Sequence, residues 1–518
     1  MISRARAFVW LGPALACLLV LWLLLCRLYV LPVMPVDETR YLSVTWEMWQ
    51  SGQWWLPLIN GEPYAHKPPL LSWLVALAWQ LFGVSDRVSL MVVPLVGLGN
   101  FWLLSALVRR LAPSQLRTAW RAPLLLASLL IWQLYCAITF FDQLMSLGVL
   151  ASLYALLRHQ AGDGRRWFWL AGLAMGWSLL AKGPVLLVYL LPLVLGAKFW
   201  LPSHWSREGW FKTAGLALLV GIVVILCWAL PAAWFGGAAY AKQIFWSQSA
   251  GRMADSFAHA RPFYWYLLLL PPMLLPWPLV WRWRRPDGTD PLLRLALWGL
   301  LPQLLVFSLI SGKQPHYLLP CMPFAALALA RLLPRQLTRT WGVMVLLGLL
   351  ALACASLPEL AGRLFVAAQV APAWRALALL PLALLVWLWR RPGLTPVVLL
   401  FPLCLGAMLL PLQAGFQRYY DLTPMARVVV AAQQAGRPVA HLGKYHDQFR
   451  YLGRGEHPLT VLEQPQVAAW FADHPDGLLV LDRHQPPADW LTAARFHQPY
   501  RTRELLLLDR AGWQQLSP

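Results

Sequence analysis

The chain has 518 residues, of which 59% are hydrophobic, only 13% are charged and 32 are tryptophan. Soluble domains carry about 25% charged residues, so this chain has too few charges to cover a surface in contact with water. The composition therefore excludes a soluble enzyme, a disordered chain and a small disulfide-stapled secreted module. The class that remains is a polytopic membrane protein.

The formal net charge of +21 raises the question of a nucleic-acid partner. The basic residues, however, form short clusters between long apolar runs, such as Arg109-Arg110, Arg165-Arg166 and Arg390-Arg391. This distribution is typical of cytoplasmic loops that face anionic lipids, and no nucleic-acid-binding motif accompanies it. We therefore expect membrane lipids as partners, and no nucleic acid.

A spanning helix needs about 20 apolar residues, and the apolar runs predict about 13 spans. These runs are 8–30, 87–109, 121–140, 143–158, 166–181, 184–200, 213–235, 263–282, 292–311, 316–333, 340–357, 373–389 and 394–413. We expect the first run to be retained as a span, because no clear small-residue cleavage site follows it. The run 69–83 is too short to cross and is predicted to be an interfacial or re-entrant helix.

The charges between the runs predict the topology. With the N-terminus in the cytoplasm, every cytoplasmic loop is basic, as the positive-inside rule requires, and an odd number of spans places the C-terminus outside. Of the twelve acidic residues in 1–416, eight then lie outside, and five of these fall in the outer loop 31–86. Carboxylates beside a membrane are costly, so we expect the chemistry to take place at this outer loop.

The composition changes near residue 416, which divides the chain into a transmembrane domain, 1–416, and a C-terminal domain, 417–518. Short β-type runs in the second part lie at 438–442, 459–462, 477–481 and 504–509. A helical run at 465–473 lies between two of them. This pattern predicts a small soluble α/β domain on the outer face.

The outer loop contains two motifs rich in reactive side chains, Asp37-Glu38-Thr39-Arg40-Tyr41 and Lys67-Pro68-Pro69-Leu70. Adjacent carboxylates and cations crowd a segment only a few residues beyond a span. On local chemistry alone two interpretations remain: a functional loop, or a solvated loop whose Asp caps a helix.

Both motifs resemble the first periplasmic loop of the GT-C glycosyltransferases, above all of the 4-amino-4-deoxy-L-arabinose lipid A transferases and, more distantly, of the protein O-mannosyltransferases. Further motifs of these families follow in order, so that the resemblance covers about residues 8–335. They are Phe141-Asp142, Ala181-Lys182-Gly183-Pro184, His259 with Arg261-Pro262-Phe263-Tyr264-Trp265-Tyr266, and Ser311-Gly312-Lys313-Gln314-Pro315-His316-Tyr317-Leu318-Leu319-Pro320.

The resemblance implies a GT-C fold and a multi-pass enzyme of the bacterial inner membrane, with its C-terminal domain in the periplasm. Such an enzyme transfers a sugar from a polyprenyl (undecaprenyl) phosphate donor to a lipid, glycan or protein acceptor, for example lipid A. The sequence alone leaves the sugar, the acceptor and the role of the C-terminal domain open.

Two carboxylates are implied in catalysis by the same resemblance. Asp37 is expected to act as the base or to position the acceptor, and Asp142 to share that work. The alternative for Asp142 is an N-cap of the helix that starts near Gln143.

The leaving phosphate needs cations. The candidates are Arg40, Lys67 and Lys182, because they are positively charged and lie on the predicted outer side. Lys313, with Tyr317, is a further predicted contact of the phosphate. Lys182 lies between two apolar runs, where an isolated lysine is expensive. The alternative for Lys182 is that it snorkels to the outer surface.

A divalent metal is a further expectation from the resemblance. In the arabinose transferases a Glu usually stands where this chain has His66, and it is thought to help hold the metal with a His at the place of His259. Two imidazoles suit Zn²⁺ or a similar ion such as Mn²⁺ or Mg²⁺. Because two ligands do not make a site, the alternative is that both histidines are polar surface.

Three other functions are alternatives to a lipid A glycosyltransferase. A protein O-glycosyltransferase of the mannosyltransferase type would share the motifs. A transporter or flippase would share the spans, but it should carry ionisable residues in mid-membrane and repeated halves. The set Asp37, Lys67, Asp142 and Lys182 argues against a non-catalytic scaffold.

Overall fold

The structure is a computed structural model that describes residues 2–201, 205, 207–246, 260–280, 283–334, 336–338, 340–364 and 370–516. A large bundle of apolar helices is followed by a small unit that contains a five-stranded sheet. This arrangement confirms the predicted fold class, a helical membrane protein with a small C-terminal α/β part.

The first half of the chain is almost entirely helical. Its α-helices are α1 (Ile2–Val30), α2 (Asp37–Ser51), α3 (Leu70–Phe82), α4 (Asp86–Gly97), α5 (Gly99–Leu111), α6 (Leu116–Ser128), α7 (Leu130–Cys136), α8 (Phe141–Gln160), α9 (Arg166–Lys182), α10 (Leu186–Leu195), α11 (Ala197–Trp200) and α12 (Arg207–Lys242). A two-stranded antiparallel hairpin, β1 (Leu58–Ile59) and β2 (Glu62–Pro63), lies in the outer loop between α2 and α3.

The helices in the second half of the bundle are shorter. They are Trp265–Met273, Pro291–Trp298, Leu301–Leu309, Met322–Leu332, Trp341–Ala355, Leu357–Leu364, Leu379–Arg390, Leu394–Leu409 and Gln413–Tyr420. Short 3₁₀ segments of three or seven residues interrupt the bundle at Gly183–Val185, Trp277–Leu279, Pro315–Cys321, Pro372–Ala378 and Leu410–Leu412. Each of these five segments contains a proline, which fixes φ and removes a backbone donor.

By length and composition, seven helical stretches of the described chain can cross a membrane, or eight if α6 and α7, bent by 67°, form one span. The predicted number of about 13 is larger, in part because runs such as 316–333 are divided into a 3₁₀ turn and a short helix. The multi-pass architecture is confirmed, and the number 13 stays a prediction. The predicted interfacial segment forms α3, a short apolar helix of 13 residues.

Helices α9 and α12 run parallel and in close contact. A Cβ on Gly172 would lie 2.5 Å from Val220, and one on Gly176 would lie 2.6 Å from Val224, four residues further along both helices. The two glycines therefore let the backbones approach, as small residues do between membrane helices.

The chain reverses direction after α9. Gly183 has a φ of 73°, a left-handed conformation that favours glycine. The indole of Trp210, near the start of α12, donates a hydrogen bond to the carbonyl of Val194, near the end of α10, at 3.1 Å. Since α9 and α12 are parallel, α10 returns to the side where α9 begins, and Lys182 lies at the opposite end, at a turn between two passes as predicted.

The C-terminal part contains a mixed sheet of five strands in the order β4-β3-β5-β7-β6. The strands are β3 (Val439–Leu442), β4 (Thr460–Leu462), β5 (Leu478–His484), β6 (Phe496–Tyr500) and β7 (Arg503–Asp509). Helices in this part are Thr423–Gln434, Arg450–Gly453, Val467–Asp473, Ala488–Ala493 and Arg510–Leu516. Strand β3 is parallel to β4 and β5, whereas β7 is antiparallel to β5 and β6.

The four predicted strands and the predicted helix of this part are confirmed. Strand β6 was missed because its sequence, FHQPY, has no apolar run and contains a proline, which sheets tolerate at an edge. The predicted domain boundary at residue 416 falls inside the helix Gln413–Tyr420 and stays a prediction.

The C-terminal part packs directly on the outer loop. The rings of Tyr451 and Trp79 are stacked with centroids 5.6 Å apart, and the indole of Trp46 donates to the carbonyl of Gly455 at 2.9 Å. The side-chain amide of Asn60, between β1 and β2, donates to a backbone carbonyl before β4 at 2.9 Å. These contacts fix the C-terminal part above α2, α3 and the hairpin.

Candidate active site

Asp142 and Lys182 form a buried ion pair. Their charged atoms are 2.5 Å apart, and their side chains are 1% and 8% exposed. Asp142 lies in the first turn of α8, whose N-cap residue is Phe140, so the alternative that Asp142 caps this helix is wrong. Lys182 pairs with a carboxylate inside the protein, so the snorkelling alternative is wrong as well.

Aromatic and imidazole groups surround this ion pair. The Nε2 atom of His316 is 3.9 Å from the Asp142 carboxylate, and the Lys182 ammonium is 4.9 Å from the centroid of the Tyr317 ring. The hydroxyl of Tyr189 donates to the carbonyl of Tyr317 at 2.7 Å and holds this segment in place. The structure thus brings three predicted residues together, Asp142, Lys182 and Tyr317, and adds His316.

Asp37 is the first residue of α2 and ion-pairs with Arg40, one turn later. The Asp37 side chain is 47% exposed and the Arg40 side chain 20%. The N-cap residue of α2 is Val36, so Asp37 does not cap the helix. Burial raises the pKa of Tyr41 well above its ordinary value, and the Asp37 carboxylate is the next largest cause. This phenol therefore stays protonated.

Arg27 and Glu38 join the starts of α2 and α8. Their charged atoms are 2.6 Å apart, and both side chains are 1% exposed. Glu38 Oε1 accepts a hydrogen bond from the backbone N–H of Thr139 at 2.7 Å, and Arg27 Nε donates to the carbonyl of Ala137 at 2.8 Å. The residue after Asp37 is therefore fastened to the segment that leads into Asp142.

The starts of α2 and α8, which carry the two predicted catalytic carboxylates, are therefore held in one region of the structure. Tyr135, in α7, lies within electrostatic range of both Asp142 and Asp37. Lys182 is bonded to Asp142. The site therefore combines a half-exposed carboxylate toward the outside with a dry carboxylate–ammonium pair further in.

Lys67 lies beside the same site. Its ammonium is 5.8 Å from the centroid of the Phe141 ring, the neighbour of Asp142. Phe141 in turn meets the Tyr41 ring edge-on at 4.8 Å. Lys67, Phe141, Tyr41 and Tyr64 line a small cavity, so this cation lies beside the residue that precedes Asp142.

Lys313 occupies a different environment. It is 3% exposed, and its ammonium donates to the backbone carbonyls of Arg261, at 2.9 Å, and Ile310. These two bonds join the segment before helix Trp265–Met273 to the turn after Leu309. They account for the burial of Lys313, and its predicted contact with phosphate stays a prediction.

The predicted metal ligands are placed only in part. His66 is exposed, and its ring packs against that of Tyr64 with centroids 5.2 Å apart. His259 lies outside the described residues. Among the described residues, no group of three or more His, Cys, Asp and Glu side chains could hold a metal ion. A metal at His66 therefore depends on His259 and stays a prediction.

Four residues in or around this site were not predicted as site residues: Arg27, Tyr135, His446 and His316, of which only His316 belongs to a quoted motif. The sequence contained a signal for Arg27, because an arginine inside an apolar run costs free energy and suggests a charged or polar partner. His446 belongs to the C-terminal part and lies within electrostatic range of Arg40 and Asp37. No local motif marks it, since only the docking of the C-terminal part brings it here.

Solved structures share this fold. The crystal structure of ArnT from Cupriavidus metallidurans bound to undecaprenyl phosphate superposes with a TM-score of 0.70 over 98% of this chain and 99% of that chain, at 21% sequence identity. The apo state of the same protein gives a TM-score of 0.68. The likeness includes the C-terminal part, because almost the whole of both chains is covered.

Sequence relatives give the family. The dolichyl-phosphate-mannose-protein mannosyltransferase family matches residues 66–234. An undecaprenyl phosphate-α-4-amino-4-deoxy-L-arabinose arabinosyl transferase of Pseudomonas aeruginosa PAO1 is 32% identical over 397 residues, 70% of each chain. One of two such transferases of Pseudomonas fluorescens Pf0-1 is 33% identical over 334 residues, 61% of this chain and 59% of the relative. The chain therefore belongs to the glycosyltransferase family of the undecaprenyl phosphate-α-4-amino-4-deoxy-L-arabinose arabinosyl transferases.

Proposed function

We propose that this protein transfers 4-amino-4-deoxy-L-arabinose from undecaprenyl phosphate to an envelope acceptor such as lipid A, at the periplasmic face of the inner membrane. The relatives are named for this sugar and this carrier. The observation that carries the proposal is the buried Asp142–Lys182 pair, together with the bond from Glu38, the neighbour of Asp37, to the segment that leads into Asp142. A desolvated cation beside a half-exposed carboxylate suits a reaction that expels a phosphate and removes a proton.

In the proposed reaction, the bond between the sugar C1 and the carrier phosphate oxygen breaks, and undecaprenyl phosphate leaves with the electron pair. An acceptor oxygen forms the new bond to C1 and gives its proton to Asp37. Asp37 later releases that proton to water. Atoms and charges balance without an oxidant or another co-reactant.

Lys182 is the proposed partner of the leaving phosphate. Inside a low-dielectric site, an ammonium stabilises developing negative charge far better than it does in water. Asp142 fixes the position of this ammonium and lies near His316. Lys67, on the other side of Phe141, is a second cation within the same site.

The proposed orientation places the N-terminus in the cytoplasm and the C-terminal domain in the periplasm. It is supported by the charges at the two ends of the bundle. At the end of α8 opposite to Asp142, Asp163 is paired with Arg158 and Arg110, which belong to the basic clusters expected on the cytoplasmic side. The candidate site and the C-terminal part lie at the other end.

The test is transfer by the purified full-length protein in lipid vesicles. Undecaprenyl phosphate–aminoarabinose and lipid A are supplied, and the mass of the acceptor is measured. We expect lipid A to gain the mass of the aminopentose residue. A protein that modifies only a peptide acceptor, or that uses only a mannosyl carrier, would instead act like the protein mannosyltransferases, and the proposal would fall.

A further inference from the structure

The 443–449 loop, which connects β3 to helix Arg450–Gly453, is pinned to the outer loop. Ser43 Oγ donates to the carbonyl of Asp447 at 2.5 Å, and the Asp447 carboxylate accepts from the backbone N–H of Asn60 at 3.3 Å. Arg450 and Glu47 form an ion pair at 2.8 Å, with side chains 10% and 2% exposed. These contacts are mostly buried, so they hold the loop in a defined position.

The 443–449 loop follows one face of α2 toward the active site. Arg40, Ser43 and Glu47 are spaced by three and four residues and therefore share this face. Ser43 bonds to the loop directly, and Glu47 pairs with Arg450, the first residue after the loop. One turn before Ser43, His446 lies within electrostatic range of Arg40 and Asp37.

Donor groups from two parts of the chain converge at this point. Lys444 is exposed and His446 is half-buried. Burial lowers the pKa of His446, and the positive charges of Arg40 and Lys444 lower it further. The imidazole is therefore mainly neutral in the free protein. Within the described part of the chain, Nε of Arg40 has no hydrogen-bond partner although it is buried. The point therefore combines two cations, Arg40 and Lys444, with the single carboxylate of Asp37, and Arg40 keeps one donor without a partner.

The fold places the 443–449 loop where ligands are commonly bound. β3 is parallel to both of its neighbours, β4 and β5, and the loop leaves its carboxyl end. In open α/β sheets the crevice at the carboxyl ends of parallel strands is the usual binding position. This edge of the sheet faces the outer loop, because Asp447 bonds to Ser43 and Asn60.

We propose that Arg40, Lys444 and His446 bind a phosphate group of the acceptor and thereby hold the acceptor beside Asp37. This inference rests on the proposed function, because it assigns a site to the second substrate of that reaction. The carrier phosphate has its own cation in Lys182, which is buried. The acceptor phosphate is bound at the half-exposed edge between the outer loop and the C-terminal part.

The test measures binding separately from transfer. The full-length protein in detergent is titrated with bis-phosphorylated lipid A and with lipid A that lacks both phosphates, for the wild type and for Lys444→Ala, His446→Ala and the double variant. Arg510→Ala is the matched control, because Arg510 is an exposed cation that follows β7, at the end of the sheet opposite to the 443–449 loop. Thermal unfolding of each variant checks that the fold is intact.

We expect the double variant to raise the Kd for the bis-phosphorylated lipid, and its KM as acceptor, about tenfold or more, as is typical of lost hydrogen bonds to a charged group. The KM for the donor and the kcat should change by less than about twofold if binding alone is lost. Arg510→Ala should have no effect, and the wild type should bind the phosphate-free lipid more weakly.

Unchanged binding of lipid A by the double variant would overturn this inference, and so would wild-type protein that binds both lipids equally. An equal rise in the donor KM would also overturn it, because the three residues would then belong to the donor site. Phosphate-dependent binding that is lost in the double variant, in a wild-type protein that transfers no sugar, would support this site and refute the proposed function instead.

Discussion

Glu38 and Arg27 form a dry ion pair, 2.6 Å long, between the start of α2 and the end of α1. Each partner also binds the backbone just before α8, Glu38 at Thr139 and Arg27 at Ala137. Asp37 is thereby held at a fixed place relative to Asp142, although neither Glu38 nor Arg27 needs to touch a substrate. We call the Arg27–Glu38 pair the brace, because it fixes the relative position of the two proposed catalytic carboxylates.

Removing one charge of this brace should be costly. Glu38→Gln leaves Arg27 charged and buried without a counter-ion, which typically costs about 3–5 kcal/mol. We expect the free energy of unfolding in detergent to fall by that amount, and kcat to fall more than the donor KM rises. Denaturant unfolding and steady-state transfer measure the two effects.

A double variant provides the control for the brace. Arg27→Leu with Glu38→Leu removes both charges, and replacing a buried ion pair by apolar side chains is often close to neutral for stability. We expect it to recover most of the stability lost in Glu38→Gln but little of the kcat, since the bonds to Ala137 and Thr139 are gone. Full activity in the double variant would refute the positioning role.

The contact between the C-terminal part and α2 should depend on pH. Asp447 is buried, and this burial raises the pKa of its carboxyl well above the ordinary value. The negative charge of Glu47 is the next largest cause of the rise. The folded protein then binds a proton that the unfolded chain releases near pH 4, so the stability from this group is lost as pH rises toward the folded pKa. We expect the unfolding temperature to fall over this range.

Asp447→Asn mimics the protonated carboxyl and should flatten that pH dependence. The matched control is Asp482→Asn, because Asp482 forms an exposed ion pair with Arg503, and such pairs contribute little to stability. Thermal unfolding between pH 4 and pH 8 distinguishes the two. If the unfolding temperature of Asp447→Asn changes with pH as much as that of the wild type, groups other than Asp447 cause the pH dependence.

The proposed orientation can be tested with reporter fusions. A tag that is active only in the periplasm should be active after Pro518 and inactive when inserted at Gly288. The physical reason is the distribution of basic residues, which strongly favours the cytoplasmic side for the loop that contains Gly288. A cytoplasmic C-terminus would place the Asp37 site on the wrong side of the membrane.

Chelation tests the metal expected at His66 and His259. If the two histidines share an ion, His66→Ala and His259→Ala should each remove nearly all of the activity that depends on the ion, and their effects should be non-additive. Added Zn²⁺ or Mn²⁺ should restore the activity of chelated wild-type protein. His66→Glu should strengthen the metal dependence. His497→Ala, in β6, is the control. Activity that is insensitive to chelators would leave both histidines as polar surface.

Much of the fold was predictable because it follows from local pattern. Apolar runs marked the helices, and alternation of apolar runs with turns marked four of the five strands in the C-terminal sheet. The carboxylates and cations of the site could be selected because charges beside or within apolar runs are expensive. Asp142 and Lys182 were both selected in this way, although no pattern predicted that they would form an ion pair.

The remaining features depend on contacts between distant segments. Arg27 binds Ala137 and Glu38 binds Thr139, although the partners lie far apart in sequence. His446 comes near Arg40 only because the C-terminal part docks on α2. Lys313 carries the right charge for a phosphate, but its ammonium is bound by two carbonyls. The charges and motifs of the sequence indicate candidate groups. Only the packing of the folded chain distinguishes a structural cation from one that lies beside the reacting groups.

The central claim is that Asp37 acts in sugar transfer at the site of the Asp142–Lys182 pair. The most direct measurement is single-turnover transfer by purified protein that is saturated with undecaprenyl phosphate–aminoarabinose, for the wild type, Asp37→Asn and the control Asp163→Asn at the opposite end of α8. Asp37→Asn should bind the donor with nearly normal affinity and transfer about 100-fold or more slowly, as expected for the loss of a positioned base. Normal transfer by a well-folded Asp37→Asn protein would contradict the account.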